Sequence, residues 1–257
     1  MCNSYSDDEF DRSIEIASLM PILNLSNPSQ AVTHTMLRRL GEQRRHLAEG
    51  TVTWALAVRN EMYLHTQDQM ALRGGTLRQV GTRHFRAAGN GIDLHLPREF
   101  FKNRLSEKVW KNGRTWIDFQ RTFDDELGGH AVFDLYVNDA RPILAGVADS
   151  DCGAFFLNYD GTAKQGFSQL ATELSKALLI DWPDTDLFWR QQRALRNHDF
   201  RHILATSILR RKDDMRWAAR ALMDTIETTE KTYAFVRAED ENARFQEVMR
   251  GRGGATV

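Results

Sequence analysis

The chain has 257 residues, which is enough for a sizeable hydrophobic core without covalent cross-links. Its two cysteines, Cys2 and Cys152, are too few for a disulfide framework. Hydrophobic residues make up 42% and charged residues 27%, which is the composition of a globular chain and not of a disordered or fibrous one. No apolar run resembles a membrane span or a secretory signal, so we predict a soluble, cytoplasmic protein.

The formal net charge of −1 argues against the simplest kind of nucleic-acid binder, which is strongly basic overall. The balance is local cancellation, however. Residues 190–220 contain nine basic and three acidic side chains, whereas residues 1–15 contain five acids and one arginine. A chain of this kind can still present a positive face to a polyanion. We therefore predict a positive face around His198 and Arg201, with the acidic N-terminal segment lying away from it.

The first half of the chain begins with two predicted helices. Apolar residues recur at helical spacing over residues 31–48 and again over 51–69. Gly50 separates the two segments, and Thr51 or Thr53 is a suitable N-cap for the second.

The chain then changes to strand-like patterns. Residues 91–97 alternate apolar and polar side chains, and residues 114–119 do the same after the turn signal Asn112-Gly113. Helical patterns return later, over residues 166–180, 198–211, 214–223, 227–235 and 238–250. The sequence therefore predicts a mainly α (α+β) fold with a small antiparallel β-sheet near residues 80–120.

The chain shows no internal repeat and no low-complexity tract, and its five prolines mark no obvious linker. We predict one compact domain over residues 29–257, preceded by an acidic N-terminal extension over residues 1–28.

The segment that is most informative about chemistry is H-x-x-R, from His198 to Arg201. Residues three apart on a helix share a face, so an imidazole and a guanidinium can converge on one anion there. The planar fork of arginine matches the oxygens of a phosphate. An isolated H-x-x-R can equally be a pair of surface side chains.

Tyr233 follows this segment and is preceded by Thr-Thr-Glu-Lys-Thr. This arrangement resembles the catalytic domain of the tyrosine recombinase (phage integrase) family, in which an H-x-x-R helix precedes a nucleophilic tyrosine by roughly thirty residues. Upstream segments resemble other motifs of the family in the same order. They are the first-arginine box at residues 70–80, the lysine hairpin at 96–103, and the helix and strand-like segment at 136–144 and 154–158. The resemblance covers about residues 30–250.

The resemblance implies a set of site residues. Arg73 and Arg201 would stabilise the charge that builds on a phosphodiester under attack, and Tyr233 would be the nucleophile. His198 would act as general base or as a donor to the phosphate, and Lys102 as general acid. Lys111, which is also followed by asparagine, is a rival for the lysine role.

The resemblance also implies a function and partners. It implies a site-specific recombinase or integrase of a mobile genetic element that cuts and rejoins double-stranded DNA through a 3′-phosphotyrosyl intermediate, with no metal or other cofactor. Family members act as homo-oligomers, usually tetramers, on DNA, with a C-terminal helix, here about residues 238–250, docking on a neighbour. An N-terminal DNA-clamping domain is not evident, so either the chain is a fragment or a partner recombinase supplies the clamp. Localisation would be cytoplasmic and nucleoid-associated.

Two positions depart from the family's pattern. Met223 stands ten residues before the tyrosine, where the family usually has a histidine or tryptophan, and a thioether cannot donate to a phosphate. Thr76 replaces the acid of the first-arginine box. These departures support an alternative hypothesis, a degenerate member that binds DNA without efficient strand transfer.

Other interpretations of the same residues stay open. His198 and His202 are four apart with an acid between them, which is close to the H-E-x-x-H zinc motif. Arg201 would oppose a dication there, and no third ligand is evident. His202 could instead pack or orient the helix, and Tyr233 could be a half-buried aromatic residue without chemical function.

Overall fold

A computed structural model describes residues 16, 18–88, 91–101, 119–125, 127–179, 194–212 and 214–233. Four predictions from the sequence lie wholly or largely outside these residues. They concern Lys102, its rival Lys111, the helix at 238–250 and the placement of the acidic residues 1–15.

Helices dominate the described part of the chain. A π-helical turn, Gln30–His34, runs directly into the helix Thr35–Arg44, and a second one, Tyr136–Ala140, joins the helices Gly129–Leu135 and Arg141–Ala145. The helices are α1 (Thr35–Arg44), α2 (Val52–Met70), α3 (Gly74–Leu77), α4 (Gly129–Leu135), α5 (Arg141–Ala145), α6 (Phe167–Leu178), α7 (Asp199–Lys212) and α8 (Met215–Leu222). Residues 226–233 form a last described helical segment. No helix in the described ranges combines the length and apolar composition that crossing a bilayer requires.

Helix α2 is the centre of the fold. The side chain of Thr51 accepts a hydrogen bond of 3.2 Å from the backbone N–H of Trp54, which caps the helix start as predicted. The helix is buried around most of its circumference and packs against α1, α4, α5 and α7. Oε2 of the buried Glu61 lies 2.6 Å from Nε of Arg44, so the buried carboxylate is paired with a positive charge.

The sheet has three antiparallel strands in the order β1 (Phe85–Ala88), β2 (Gly91–Leu96) and β3 (Phe119–Thr122). Alternate residues of β2 are buried, as the predicted strand at 91–97 requires. Strand β3 begins at the last residue of the second predicted strand, 114–119, and runs beyond it; the rest of that prediction lies outside the described residues. β1 was not predicted. A mainly α fold with a small antiparallel sheet is thus confirmed.

The main core reaches across the predicted domain boundary at residue 28. Leu19, Ile22 and Leu23 are almost fully buried in the same cluster as residues of α1 and α2. The division into an extension over 1–28 and a domain over 29–257 stays a prediction.

A buried network of polar side chains holds α2 against the start of α7. The Asn197 side chain donates to the carbonyl of Leu72 at 3.0 Å and accepts from the Tyr63 hydroxyl at 2.9 Å. The amide of Gln67 donates to Asn197 and to the same Leu72 carbonyl. Because all of these groups are removed from water, each depends on the others for its hydrogen bonds. The network fixes the chain just before Arg73 relative to the segment that carries His198 and Arg201.

We predict that Asn197→Ala lowers the free energy of unfolding by about 3 kcal/mol, because it leaves the buried Tyr63 hydroxyl without its acceptor and removes one of the two donors to the Leu72 carbonyl. Denaturant titration of the purified variant measures this change. Asn158→Ala is the matched control, since its amide bonds Thr162 in an exposed turn, and it should cost less than about 1 kcal/mol. Equal losses of stability in the two variants would contradict the role given to the network.

Candidate active site

Arg201 joins three segments of the chain. Its guanidinium donates to the carbonyl of Ala71 at 2.9 Å and to the carbonyl of Leu222 at 2.6 Å. Ala71 follows the last residue of α2, and Leu222 ends α8, while Arg201 itself lies in the first turn of α7. The side chain is only 5% exposed. Burial of an arginine at this depth is tolerated because strong acceptors satisfy its fixed donor geometry.

The two helix ends that meet Arg201 both turn through left-handed backbone. Ala71 has φ 43° and Met223 has φ 50°, and they are the two non-glycine residues with positive φ among those described. At Met223 the backbone forms a Schellman motif, in which Asp224 N–H bonds Ala219 O at 2.9 Å. Glycine usually occupies such positions, and a larger residue costs about 1–2 kcal/mol. Strain of this kind persists only where surrounding contacts enforce it, and it is common at functional sites.

The Schellman motif places the carboxylate of Asp224 between two arginines. Its Oδ2 lies 2.8 Å from Nη2 of Arg73 and 3.5 Å from Nη2 of Arg201. Asp224 is mostly buried, with 11% of its side chain exposed, whereas Arg73 is 27% exposed. Arg73 and Arg201, predicted to converge on a phosphate, therefore converge on one anionic oxygen that belongs to the protein.

Asp224 is the site residue that sequence reasoning missed. The assignment of Met223 as the degenerate site position stays a prediction. In the structure Met223 packs partly against the main core, and the next residue, Asp224, bonds Arg73. The detectable signal was the helix end. The chain changes direction after a left-handed C-cap such as Met223, so the side chain of the next residue can face back towards the helix junction. Asp224 is the charged residue at that position.

The electrostatics of Arg201 are set by its surroundings. Burial, and next the nearby charge of Arg73, lower the pKa of Arg201 to about 10, while Tyr233 and Asp224 act in the opposite direction. The guanidinium therefore remains charged at neutral pH, and the Asp224 carboxylate offsets the repulsion between the two arginines.

Tyr233 is buried, with 3% exposure, in a second apolar cluster with residues of α7 and α8. Its hydroxyl lies 3.1 Å from Nδ1 of His202 and 3.4 Å from the carbonyl oxygen of Arg201. Burial raises the pKa of Tyr233 well above its ordinary value, and the neighbouring Arg201 only partly opposes this shift. The phenol is therefore neutral at physiological pH, and any nucleophilic role needs a proton acceptor.

The two histidines at the start of α7 are in contact with each other. His198 lies in the turn just before α7 and is exposed, and its ring meets the ring of His202 edge-on at 4.9 Å. His202 is 4% exposed and contacts the tyrosine hydroxyl. The role of His198 as general base or as a donor to the phosphate stays a prediction. His202 was expected to pack or to orient the helix, and its ring also contacts the Tyr233 hydroxyl. In the described part of the chain no group of three or more potential metal ligands comes together.

Thr76, where the resemblance to tyrosine recombinases predicts an acid, contacts the backbone shortly before Lys102. Its hydroxyl donates to the carbonyl of Phe100 at 2.9 Å, two residues before the lysine. Lys102 and Lys111 both belong to the connection from β2 to β3, and their positions lie outside the described residues. The neutral hydroxyl of Thr76 thus holds the backbone at Phe100 by a hydrogen bond, and this contact does not involve an ion pair with Arg73.

A groove of about 620 Å³ begins beside Met223. It lies between strand β3, the second half of α7 and α8. Four basic residues stand among its lining side chains, Arg121, Arg211, Lys212 and Arg220. Trp217, which is 54% exposed, also lines it, with the guanidinium carbon of Arg220 6.0 Å from its ring centre. The groove therefore combines an apolar surface with positive charge, and Met223, which lines it, directly precedes Asp224.

The fold is similar to that of a site-specific recombinase. Two solved structures of XerH site-specific recombinase align with this chain. One is a pre-cleavage complex with difH substrate, with a TM-score of 0.51, 11% identity and coverage of 77% of this chain and 48% of that one. The other is a post-cleavage complex with palindromic difH substrate, with a TM-score of 0.53, 12% identity and coverage of 81% and 50%. The chain thus spans about half the length of these structures. No protein-family model and no curated protein sequence matches it.

We predict that Arg201→Ala lowers the free energy of unfolding by about 3–5 kcal/mol, because it removes a buried charge that satisfies two carbonyls and faces Asp224. Arg73→Ala should cost about 1 kcal/mol, since Arg73 is more exposed and its guanidinium bonds the side chain of Asp224. Denaturant unfolding of both variants tests this ordering. A smaller loss for Arg201→Ala than for Arg73→Ala would contradict the structural role of Arg201.

Proposed function

We propose that the protein is a DNA strand transferase of the tyrosine recombinase type, which cuts and rejoins duplex DNA through Tyr233. The observation that carries the proposal is the convergence of Arg73 and Arg201 on one anionic oxygen. The Tyr233 hydroxyl lies 3.1 Å from Nδ1 of His202, the residue after Arg201, and the fold is similar to that of a recombinase. A scissile phosphodiester has the charge and oxygen geometry that such a pair binds.

The proposed reaction is an in-line displacement at phosphorus. The Tyr233 oxygen forms a bond to the phosphorus while the bond from phosphorus to the 5′ oxygen breaks, which leaves a 3′-phosphotyrosyl linkage. Arg73 and Arg201 stabilise the additional negative charge on the phosphate oxygens in the transition state. The departing 5′ oxygen takes a proton, a role that we give to Lys102. Attack of a second DNA hydroxyl on the linkage reverses the steps and needs no other reactant.

We propose that His202 accepts the proton that Tyr233 loses when it attacks. The phenol is neutral because its pKa is raised by burial, and Nδ1 of His202 is within hydrogen-bond distance of it. His198 lies at the exposed end of the same histidine pair, where it could donate to a phosphate oxygen or pass the proton to solvent. Assembly into a tetramer on DNA, with or without a partner recombinase, stays a prediction.

The groove beside Met223 is our candidate for contact with the DNA backbone. Its basic side chains come mainly from α7 and α8, the same helices that hold Arg201 and lead to Asp224. Their clustering explains how a chain with net charge −1 could bind a polyanion.

A second candidate function is a DNA-binding protein that does not transfer strands efficiently. Two observations favour it. The Asp224 carboxylate already pairs with both arginines and offsets one of their two positive charges, and Tyr233 is almost completely buried.

Covalent capture distinguishes the two functions. We expect the wild-type chain to form an SDS-resistant adduct with nicked duplexes drawn from a randomised pool, and Tyr233→Phe to form none, because phenylalanine has no nucleophilic oxygen. Tyr159→Phe, which changes an exposed tyrosine, is the matched control and should keep the adduct. Retained DNA binding with no adduct would favour the second function. An adduct that survives Tyr233→Phe would show that another residue is the nucleophile.

Salt dependence tests the DNA-binding surface. We expect the affinity for duplex DNA to fall steeply as the salt concentration rises. Arg211→Ala and Arg220→Ala should each reduce the slope of log K against log salt, by about 0.9 for each phosphate that the protein no longer neutralises. Arg38→Ala changes an exposed arginine of α1, a helix that does not line the groove, and should leave the slope unchanged. Fluorescence anisotropy at several salt concentrations measures the slopes. A flat response in the wild type would rule out both candidate functions.

A further inference from the structure

The most unusual feature of the site is that its anion position is already filled by a side chain. Oδ2 of Asp224 accepts from Arg73 and lies within ion-pair distance of Arg201. The carboxylate can only accept hydrogen bonds, so it offers nothing to a phosphate oxygen except repulsion. A phosphate that reached both arginines would place like charges within a few ångströms of each other.

We propose that Asp224 is an internal competitor for the substrate phosphate, which must leave the arginine pair before that pair can bind DNA. This inference rests on the proposed function, because it concerns the same two arginines. Asp224 would then be a positioning residue, which sets how readily Arg73 and Arg201 become available.

The local structure allows such a displacement. Asp224 follows the left-handed Met223 and precedes Thr225, whose side chain caps the helical segment at 226–233 by accepting from the N–H of Thr228. Asp224 is thus a short link between two capped helices. Its backbone N–H is held by Ala219, and its Oδ1 accepts from the N–H of Thr225 at 3.2 Å. Rotation of the side chain away from the arginines therefore breaks bonds of the carboxylate and leaves the backbone bond to Ala219 in place.

The two arginines differ in what they would do when the carboxylate leaves. Arg201 keeps its bonds to the carbonyls of Ala71 and Leu222, so its guanidinium stays in position. Arg73 begins α3 as its N-cap residue and is the more exposed of the two, and its guanidinium is held by Asp224. Displacement therefore releases mainly Arg73, which becomes available to an incoming anion.

Inorganic phosphate tests the inference without DNA. We expect phosphate to raise the melting temperature of Asp224→Asn more than that of the wild type, with an apparent dissociation constant about tenfold lower, because ligand binding stabilises the folded state. Asparagine keeps the size of the side chain but removes its charge. Asp214→Asn is the matched control. It removes one negative charge at the opposite end of α8, where asparagine also caps well, and it should respond like the wild type.

The double variant Asp224→Asn, Arg73→Ala locates the effect. Its response to phosphate should fall back to the wild-type level, because one of the two ligands of the anion is gone. If Asp224→Asn folds too weakly for a melting curve, isothermal titration of phosphate at low temperature gives the same comparison. Equal phosphate responses in wild type and Asp224→Asn, or an enhanced response that survives Arg73→Ala, would overturn the inference. Neither result depends on strand transfer, so failure of the proposed function shows separately, as absence of DNA binding and of the Tyr233 adduct.

Discussion

The buried guanidinium of Arg201 is the interaction on which the site depends. It donates to carbonyls at the ends of α2 and α8 from the first turn of α7, so one side chain fixes three segments that are far apart in sequence. Both helix ends turn through left-handed backbone without glycine, and these strained turns aim the carbonyls and Asp224 at the arginine. The polar network around Asn197 also holds this junction together, because the Asn197 side chain bonds the carbonyl of Leu72, the residue after Ala71. The residues of the candidate chemistry are therefore held by the same contacts that hold the fold.

Charge is partly balanced within this junction. Two arginines face one carboxylate, and the buried tyrosine beside them is neutral because burial raises its pKa. This balance explains why the formal charge of −1 is a poor guide to function. The basic side chains that could meet a polyanion line the groove beside Met223, while the arginines at the centre are partly neutralised from within. The proposed enzyme and the proposed DNA-binding protein differ in how easily that neutralisation is reversed.

The sequence predicted the elements whose signals are local. Helix α2 has a threonine cap after Gly50, and β2 alternates buried and exposed residues. Strand β1 was missed because Phe85-Arg-Ala-Ala is short and carries a weak alternation, and its pairing with β2 supplies most of its order. Periodicity gives the face of a helix but not what lies across from it. Helical periodicity therefore placed Arg201 and His198 on one face of a helix. It could not show that two carbonyls enclose Arg201 or that His202 contacts Tyr233. It also could not show that Asp224 faces the arginines.

The proposed chemistry requires that Arg73 and Arg201 form a site for a phosphate oxygen. A crystal structure of the protein with tungstate, a tetrahedral dianion that diffraction locates readily, tests this requirement most directly. We predict tungstate within hydrogen-bond distance of both guanidinium groups, with the carboxylate of Asp224 turned away from them and the Arg201 bonds to Ala71 and Leu222 unchanged. Tungstate bound elsewhere, with the Asp224 contacts to both arginines intact at saturating concentration, would contradict it.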